Sequence, residues 1–295
     1  MYEEGVKPAP FDYYAPTNVV DAVALLAELQ DEAKILAGGQ SLVPLLALRL
    51  TVVGRLIDLN RVDGLHDVDH RPDSVVVGAM VRHRTLADDD KLRSSVPLLA
   101  RAAPYIGHFQ IRNRGTLGGS LAHADPAAEL PAVAVALDAT VNVRGERGPR
   151  SVPASEFFSS IFTTTLEPDE IIESVEFPVW RGRTGFSVQE LARRAGDFAI
   201  AGVACGVRLD RDGKVDHAAL GLFGMGSTPL RPAAALEALD GCRPEELDVR
   251  EIGSLAVRHL DPPDDIHASG SVRRRVGAVL VARALTEAMT EAARA

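Results

Sequence analysis

Apolar side chains at Val20, Val23, Ala24, Ala27 and Leu29 recur at helical spacing. They predict a helix running to about Gln30 with one buried stripe. Thr17 or Asn18 supplies the N-cap, and Asp21 stands where the positive end of a helix favours a carboxylate. The apolar run Ala33 to Ala37 predicts a buried strand, broken by Gly38-Gly39. Ser41 is placed to cap a second helix, with Pro44 tolerated in its first turn, running to about Leu50. Leu56 to Leu59 predicts another strand, so the segment reads as a strand–glycine turn–helix–strand unit. Val75 to Gly78 predicts a strand, Thr85-Leu86 the start of a helix, and Val96 to Tyr105 is apolar at helical spacing. A second glycine turn, Gly115 to Ser120, follows. After Pro126 the pattern predicts a helix over about Ala127 to Leu137, a strand over Thr140 to Arg144, and a loop over Gly145 to Pro149.

Pro178 to Thr184 has no clear periodicity and contains the single tryptophan, Trp180. It reads as a boundary between residues 1–177 and 178–295. Beyond it, Phe186 to Leu191, Ala199 to Leu209 and Val215 to Phe223 predict strands, with Asp210 to Gly213 as a hairpin-like turn. Arg231 to Leu239, Glu245 to His259 and Val272 to Thr290 predict helices. Strands followed by helices make this part α+β. No internal repeat or low-complexity segment is present.

The chain of 295 residues is long enough for two domains. Its formal net charge of −9 argues against nucleic acid and anionic membrane as partners. Arg273, Arg274 and Arg275 form a basic run in a helical pattern, read as a solvated or salt-bridged face. The two cysteines, Cys205 and Cys242, lie outside any metal-ligand spacing and read as small buried thiols. A 2Fe–2S cluster usually takes four thiolates, so this chain holds none unaided. No apolar run approaches the roughly 20 residues that cross a bilayer. Met1 to Glu4 lacks the basic and apolar regions of a signal peptide, and the expected compartment is the cytoplasm. His123 and Asp125 share a loop, and His108 stands alone; these are too few ligands for a metal site, and none is expected.

The informative feature is a pair of similar glycine motifs, Ala37-Gly38-Gly39-Gln40-Ser41 and Thr116-Leu117-Gly118-Gly119-Ser120. Paired glycines permit positive φ and close approach of a ligand to the backbone. Successive N–H groups form a nest for a phosphate oxygen, and a serine hydroxyl with a following helix N-terminus adds donors. Neither motif matches the dinucleotide fingerprint or the lysine-bearing P-loop. Either alone reads as an ordinary turn, whereas a long ligand with two phosphates, such as FAD, accounts for both.

These motifs, with Leu42-Val43-Pro44 after the first, resemble the two flavin loops in the medium subunits of carbon monoxide dehydrogenase and the related xanthine dehydrogenase group. The resemblance continues through Asp125 to Pro131, Ala192 to Ala199, Gly226 to Pro229, and the helix from Ala268-Ser269 to Ala284-Leu285. It implies an α+β fold: a two-lobed FAD-binding domain of the vanillyl-alcohol-oxidase (PCMH) type to about Phe177, then a smaller α+β C-terminal domain. It also implies that the first motif wraps the FAD pyrophosphate and that the second lies along the phosphates and ribityl chain. Glu129 falls where the family places a carboxylate that contacts FAD; read alone, it is equally a helix N-terminal acid favoured by the dipole. Ile106 and Ile172 fall where apolar residues pack on the cofactor, and are otherwise ordinary core. Glu190 departs from a flavin-contacting lysine of some relatives. Phe198 takes the place of a tyrosine beside the flavin ring, keeping the stacking face without the hydroxyl.

The function so implied is electron transfer within a molybdenum hydroxylase. A large partner carries the molybdenum cofactor and a small partner carries 2Fe–2S clusters, in a dimer of heterotrimers. FAD on this chain passes electrons to an external acceptor. Two other readings remain: a free-standing flavin oxidoreductase, with Tyr105 or His108 as proton donor, and a nucleotide-binding module without catalysis.

Overall fold

Asn18 caps the first helix, Val19–Leu29, accepting a hydrogen bond from the Asp21 N–H at 2.9 Å. The computed structural model describes residues 7–295; Met1 to Glu4, read above as lacking a signal peptide, lie outside them. The buried stripe of this helix is Ala22, Val23 and Leu26, with Val19 packed beside it, while Val20 is 75% exposed. The predicted stripe is therefore rotated: several rows in so apolar a segment satisfy helical spacing, and packing selects one.

The helix leads to strand Ala33–Leu36, which pairs in parallel with Arg55–Asp58; that strand in turn pairs in parallel with Asp12–Tyr14. The helix after the first glycine motif runs only over Leu42–Ala47, and Arg49 adopts a left-handed φ of 54° before the predicted end. Ser41 does not cap it, because its own backbone is already helical and its hydroxyl accepts no N–H.

The second lobe is a five-stranded antiparallel sheet in the order Val68–His70, Ser74–Gly78, Ile171–Pro178, Thr140–Gly145, Gly148–Pro153. The predicted loop at Gly145 to Pro149 is the tip of a hairpin, turned at Gly148 with φ 104°. Helices Pro97–Ala102, Leu117–His123 and Glu129–Ala136 pack on this sheet and share its apolar core.

Strands Arg183–Leu191, Ala201–Leu209 and Val215–Phe223 form an antiparallel sheet in sequence order. One face meets the long helix Gly270–Arg294, where Gly185 lies against the Ala288 carbonyl. On the other face, Gly221 lies against the Ala132 carbonyl of helix Glu129–Ala136. A side chain at either glycine would push the layers apart. Phe186, Val188, Ala204 and Ala219 join the core of the second lobe. Arg101 closes the seam with two hydrogen bonds of 2.6 Å to the Glu291 carboxylate, which also accepts from the Phe186 N–H at 3.0 Å.

Two sequence readings need correction here. Arg273 is salt-bridged, to Asp265 at 2.6 Å, but not on a solvated face: it is 4% exposed and also donates to the carbonyls of Ile200 (2.6 Å) and Gly224 (3.1 Å). The helix turns it inward, where it joins two loops that precede and follow sheet strands. Cys205 is buried as expected, but Cys242 is half-buried, because it follows a turn at the end of helix Ala233–Leu239. Among the described residues no helix is long and apolar enough to cross a membrane.

Candidate cofactor-binding site

Strand Ala33–Leu36 delivers the first glycine motif at the C-terminal edge of its parallel sheet, where α/β crevices form. Gly39 has φ +71°, the left-handed region that glycine enters without steric cost. Gln40 folds back, its Nε2 donating to the Gly38 carbonyl at 3.1 Å. Among the described residues, the backbone N–H groups of Gly38, Gly39, Gln40 and Ser41 have no hydrogen-bond partner. A run of unused donors is the chemistry a phosphate needs.

The second motif is built differently. It is not a turn but the first turn of helix Leu117–His123, capped by Thr116, whose Oγ1 accepts from the Gly119 N–H at 3.1 Å. The Leu117 and Gly118 N–H groups donate to the carbonyls of Val81 (3.0 Å) and Ala79 (2.8 Å), and the Ser120 N–H to the Thr116 carbonyl (3.0 Å). No nest exists here, since the N–H groups of Leu117, Gly118, Gly119 and Ser120 are all taken. Nor do Gly118 and Gly119 have positive φ. They are needed for closeness instead. A Cβ on Gly118 would sit 2.6 Å from Ala79 Cβ; on Gly119 it would sit 2.7 Å from Thr116 Oγ1 and 3.3 Å from Ala37 Cβ.

The two motifs touch. A Cβ at Gly38 would fall 2.7 Å from Gly115 Cα, and closer still to the Arg114 carbonyl oxygen. Arg82 bolts the contact, donating to the Arg114 carbonyl and to Asn60 Oδ1, while Asn60 Nδ2 donates to the Ala37 carbonyl at 3.0 Å. Asn60 is itself held by Asp58, which accepts from its N–H at 2.8 Å. Among the described residues Arg82 has no carboxylate partner, and burial, with Arg114 nearby, lowers its pKa. His83 lies behind: burial pushes it down to about 4, so it is neutral, and its Nε2 donates to the Thr116 carbonyl at 2.9 Å. Gly115 leaves room for the imidazole, since a Cβ there would lie 2.7 Å from His83 Nδ1. A half-buried cation with no direct ion-pair partner among the described residues, beside a row of free N–H groups, fits a pyrophosphate. Arg82, Asn60 and His83 escaped the sequence reading, because isolated polar residues far apart in sequence carry no local signal.

Past the motifs lies an open cleft of about 710 Å³, lined by Tyr105, Gly107, His108, Arg112, Glu190 and Arg194 among others. Ile106, half-buried, directly precedes Gly107 and packs on the core. Ile172 is 5% exposed within that core and does not line the cleft. Glu129, first residue of its helix, is 9% exposed; burial, then the charge of Glu190, raises it to about 8. Burial raises Glu190 to about 7. Phe198 is 70% exposed and stacks on no aromatic ring among the described residues. Ser41 and Ser120 are half-buried. Among the described residues, no group of three or more potential metal ligands occurs.

The model of the FAD-binding domain in molybdopterin dehydrogenase matches residues 9–180, and that of the CO dehydrogenase flavoprotein C-terminal domain matches residues 186–288. The 6-hydroxypseudooxynicotine dehydrogenase complex subunit alpha of Paenarthrobacter nicotinovorans is 41% identical over 97% of this chain and 97% of its own. The carbon monoxide dehydrogenase medium chain of Hydrogenophaga pseudoflava is 35% identical over 97% and 99%. A solved structure of carbon monoxide dehydrogenase from that organism, lacking the Mo-pyranopterin moiety, superposes with a TM-score of 0.93 at 36% identity, over 96% of this chain and 99% of that one. The chain therefore belongs to the FAD-binding medium subunits of the carbon monoxide dehydrogenase and xanthine dehydrogenase type of molybdenum hydroxylase.

Proposed function

We propose that FAD lies across the joint between the two glycine motifs and that this chain relays electrons through it. The row of unpartnered N–H groups at Gly38, Gly39, Gln40 and Ser41, beside the half-buried Arg82, carries this reading. These N–H groups, with Ala37 as the wall, take the pyrophosphate. Thr116, Leu117, Gly118 and Gly119 shape the second wall, and the Ser120 hydroxyl faces the ligand. Glu129 accepts from a hydroxyl of the ribityl chain. Ile106 and Glu190 border the ring in the cleft, Ile172 supports it from the core, and Phe198 is the exposed aromatic at its edge.

When bound, FAD supplies conversion between one-electron and two-electron transfer. The chain's own residues bind it, hold the phosphates out of water and leave one side of the cleft open. Electrons come from 2Fe–2S clusters of a small subunit, after substrate is oxidised at the molybdenum cofactor of a large subunit, and leave to an external acceptor. The assembly is a dimer of heterotrimers in the cytoplasm, with the two parts of this chain meeting at residues 177 and 178.

Anaerobic flavin bleaching tests the relay. Substrate is added to the FAD-loaded chain alone, then with both partner subunits. Bleaching only with the partners is expected. Bleaching by the lone chain would overturn the relay and favour a free-standing oxidoreductase.

A further inference from the structure

Two carboxyl groups without a cationic partner face each other across packed elements: Glu190 borders the cleft, and Glu129 begins the helix on the same face of the sheet. Glu129 is more than nine-tenths buried, and the one donor near its carboxylate among the described residues is its own N–H. Glu190 lines the cleft, and its Oε2 is sealed from water with no hydrogen-bond partner. The elements that carry them are joined by a short chain of contacts. Glu190 pairs across the sheet with Gly202, and the Phe223 ring lies against Gly202. Phe223 packs with Ala132, one turn along the helix from Glu129.

The charged and titratable groups around the pair are otherwise engaged or do not reach it. Tyr105 donates to the Val188 carbonyl at 3.2 Å. Glu287, on the long C-terminal helix, accepts from Ser187 (2.7 Å) and Gln189 (2.8 Å). Asp125 precedes the helix of Glu129 and adds like charge. Arg112 donates to the carbonyls of Pro104, Ile106 and Gly107. His108 and Arg194 line the same cleft without an ion pair to Glu190 among the described residues. A buried carboxylate with no partner takes a proton rather than stay charged, and two in mutual range do not both ionise. Such groups titrate as a unit.

We propose that Glu129 and Glu190 form a proton-storing carboxyl pair: they hold a proton between them at neutral pH, and take up another from water when the cleft gains negative charge. The proposal rests on the reading of the cleft as the flavin site. Two electrons delivered singly by iron–sulfur clusters arrive there without protons and leave added negative charge. One carboxylate then forms an O–H bond with a proton from water. No protein group is oxidised or reduced, and reoxidation by the acceptor returns the proton to solvent.

Two measurements test this. In the flavin-free full chain, infrared spectra recorded against pH should show a carboxylic-acid C=O band persisting to about pH 7, reduced in both E129Q and E190Q. In the FAD-loaded complex, an indicator dye reports protons taken up on anaerobic reduction at about pH 7.5. Wild type should take up more protons per FAD than E190Q, by up to roughly one. Absence of the band in the flavin-free wild type, or equal uptake by the two loaded proteins, overturns the pair. Failure of wild type to retain FAD would instead refute the flavin reading, and the infrared measurement alone would then decide whether a proton is stored. Should E190Q not load, E129Q takes its place, with the same two outcomes.

Discussion

Gly38→Ala adds one methyl group where two backbones meet, and its effect follows from the geometry. The new Cβ would lie 2.7 Å from Gly115 Cα, against 3.4 Å for ordinary contact, so the motifs must separate by at least the 0.7 Å difference (3.4 − 2.7). Overpacking of this kind costs about 1–3 kcal/mol. The consequence for the ligand is sharper. A phosphate hydrogen bond of about 2.9 Å stretched by that amount passes beyond useful range, and a charge-assisted bond contributes about 1.5–3 kcal/mol. Loss of one such bond raises the FAD dissociation constant by about 10- to 100-fold. Fluorescence titration of the flavin-free protein with FAD measures it directly. Gly54→Ala is the control: its Cβ would meet only the Glu32 carbonyl, at 3.6 Å, so affinity and stability should stay near wild type. A Gly38→Ala protein that binds FAD within about twofold of wild type would refute the close-contact reasoning.

Gly39→Val and Gly119→Val should both lose FAD for different reasons: the first forces a β-branched residue to φ +71°, the second drives a side chain into the capping Thr116 hydroxyl; absorbance of retained flavin reports both. From Glu129, Glu190 and His83 together, stability should be greatest near about pH 4.5 and fall as pH rises from there. Groups raised on folding, Glu129 to about 8 and Glu190 to about 7, stabilise fully below their unfolded values and lose this as pH rises through the folded ones; His83, lowered to about 4, stabilises above its unfolded value and loses this as pH falls. Each contributes a slope of at most about 1.4 kcal/mol per pH unit, and E129Q should flatten the alkaline side in thermal melts across pH. Arg273→Met strands the Ile200 and Gly224 carbonyls and Asp265, costing about 3 kcal/mol; an unchanged Tm would show that the buried guanidinium contributes no net stability.

Much of the fold was legible because its signals are local. In the strand Ala201–Leu209 the stretch Ala201 to Val207 is a continuous apolar run, and Asn18 caps its helix by side-chain chemistry readable in place. The strand Ile171–Pro178 was missed although it is central to its sheet. Its acids Glu173 and Glu176 alternate with buried Val175 and Phe177, and a bulge at Ile172 to Ser174 interrupts the period. Short strands such as Asp12–Tyr14 are set by their neighbours, not by their own residues. In the site, the glycine motifs stood out because glycine pairs are rare punctuation. The Arg82–Asn60 bolt joins residues 22 apart that nothing in the sequence connects, so only the folded chain reveals it. The burial of Arg273 was hidden for a related reason: three adjacent arginines on a helix point in three directions, and which one faces inward depends on carbonyls far along the chain.

Two motifs that look alike on paper thus divide one task. The first leaves its N–H groups free and uses a left-handed glycine to aim them; the second spends the N–H groups of Leu117 to Ser120 on its own cap and helix and on the carbonyls of Ala79 and Val81. A second nest would add donors, but it would also add another loop of backbone needing to be held in shape. A capped helix turn is rigid already, and its glycines let it serve as a flat anvil against which the first loop is pressed. Arg82 then acts on both at once, because its guanidinium reaches the carbonyl of one motif and, through Asn60, the carbonyl of the other. The positive charge that tightens the joint is the same charge that attracts a phosphate to it, so a ligand that draws on that charge meets donors already in register.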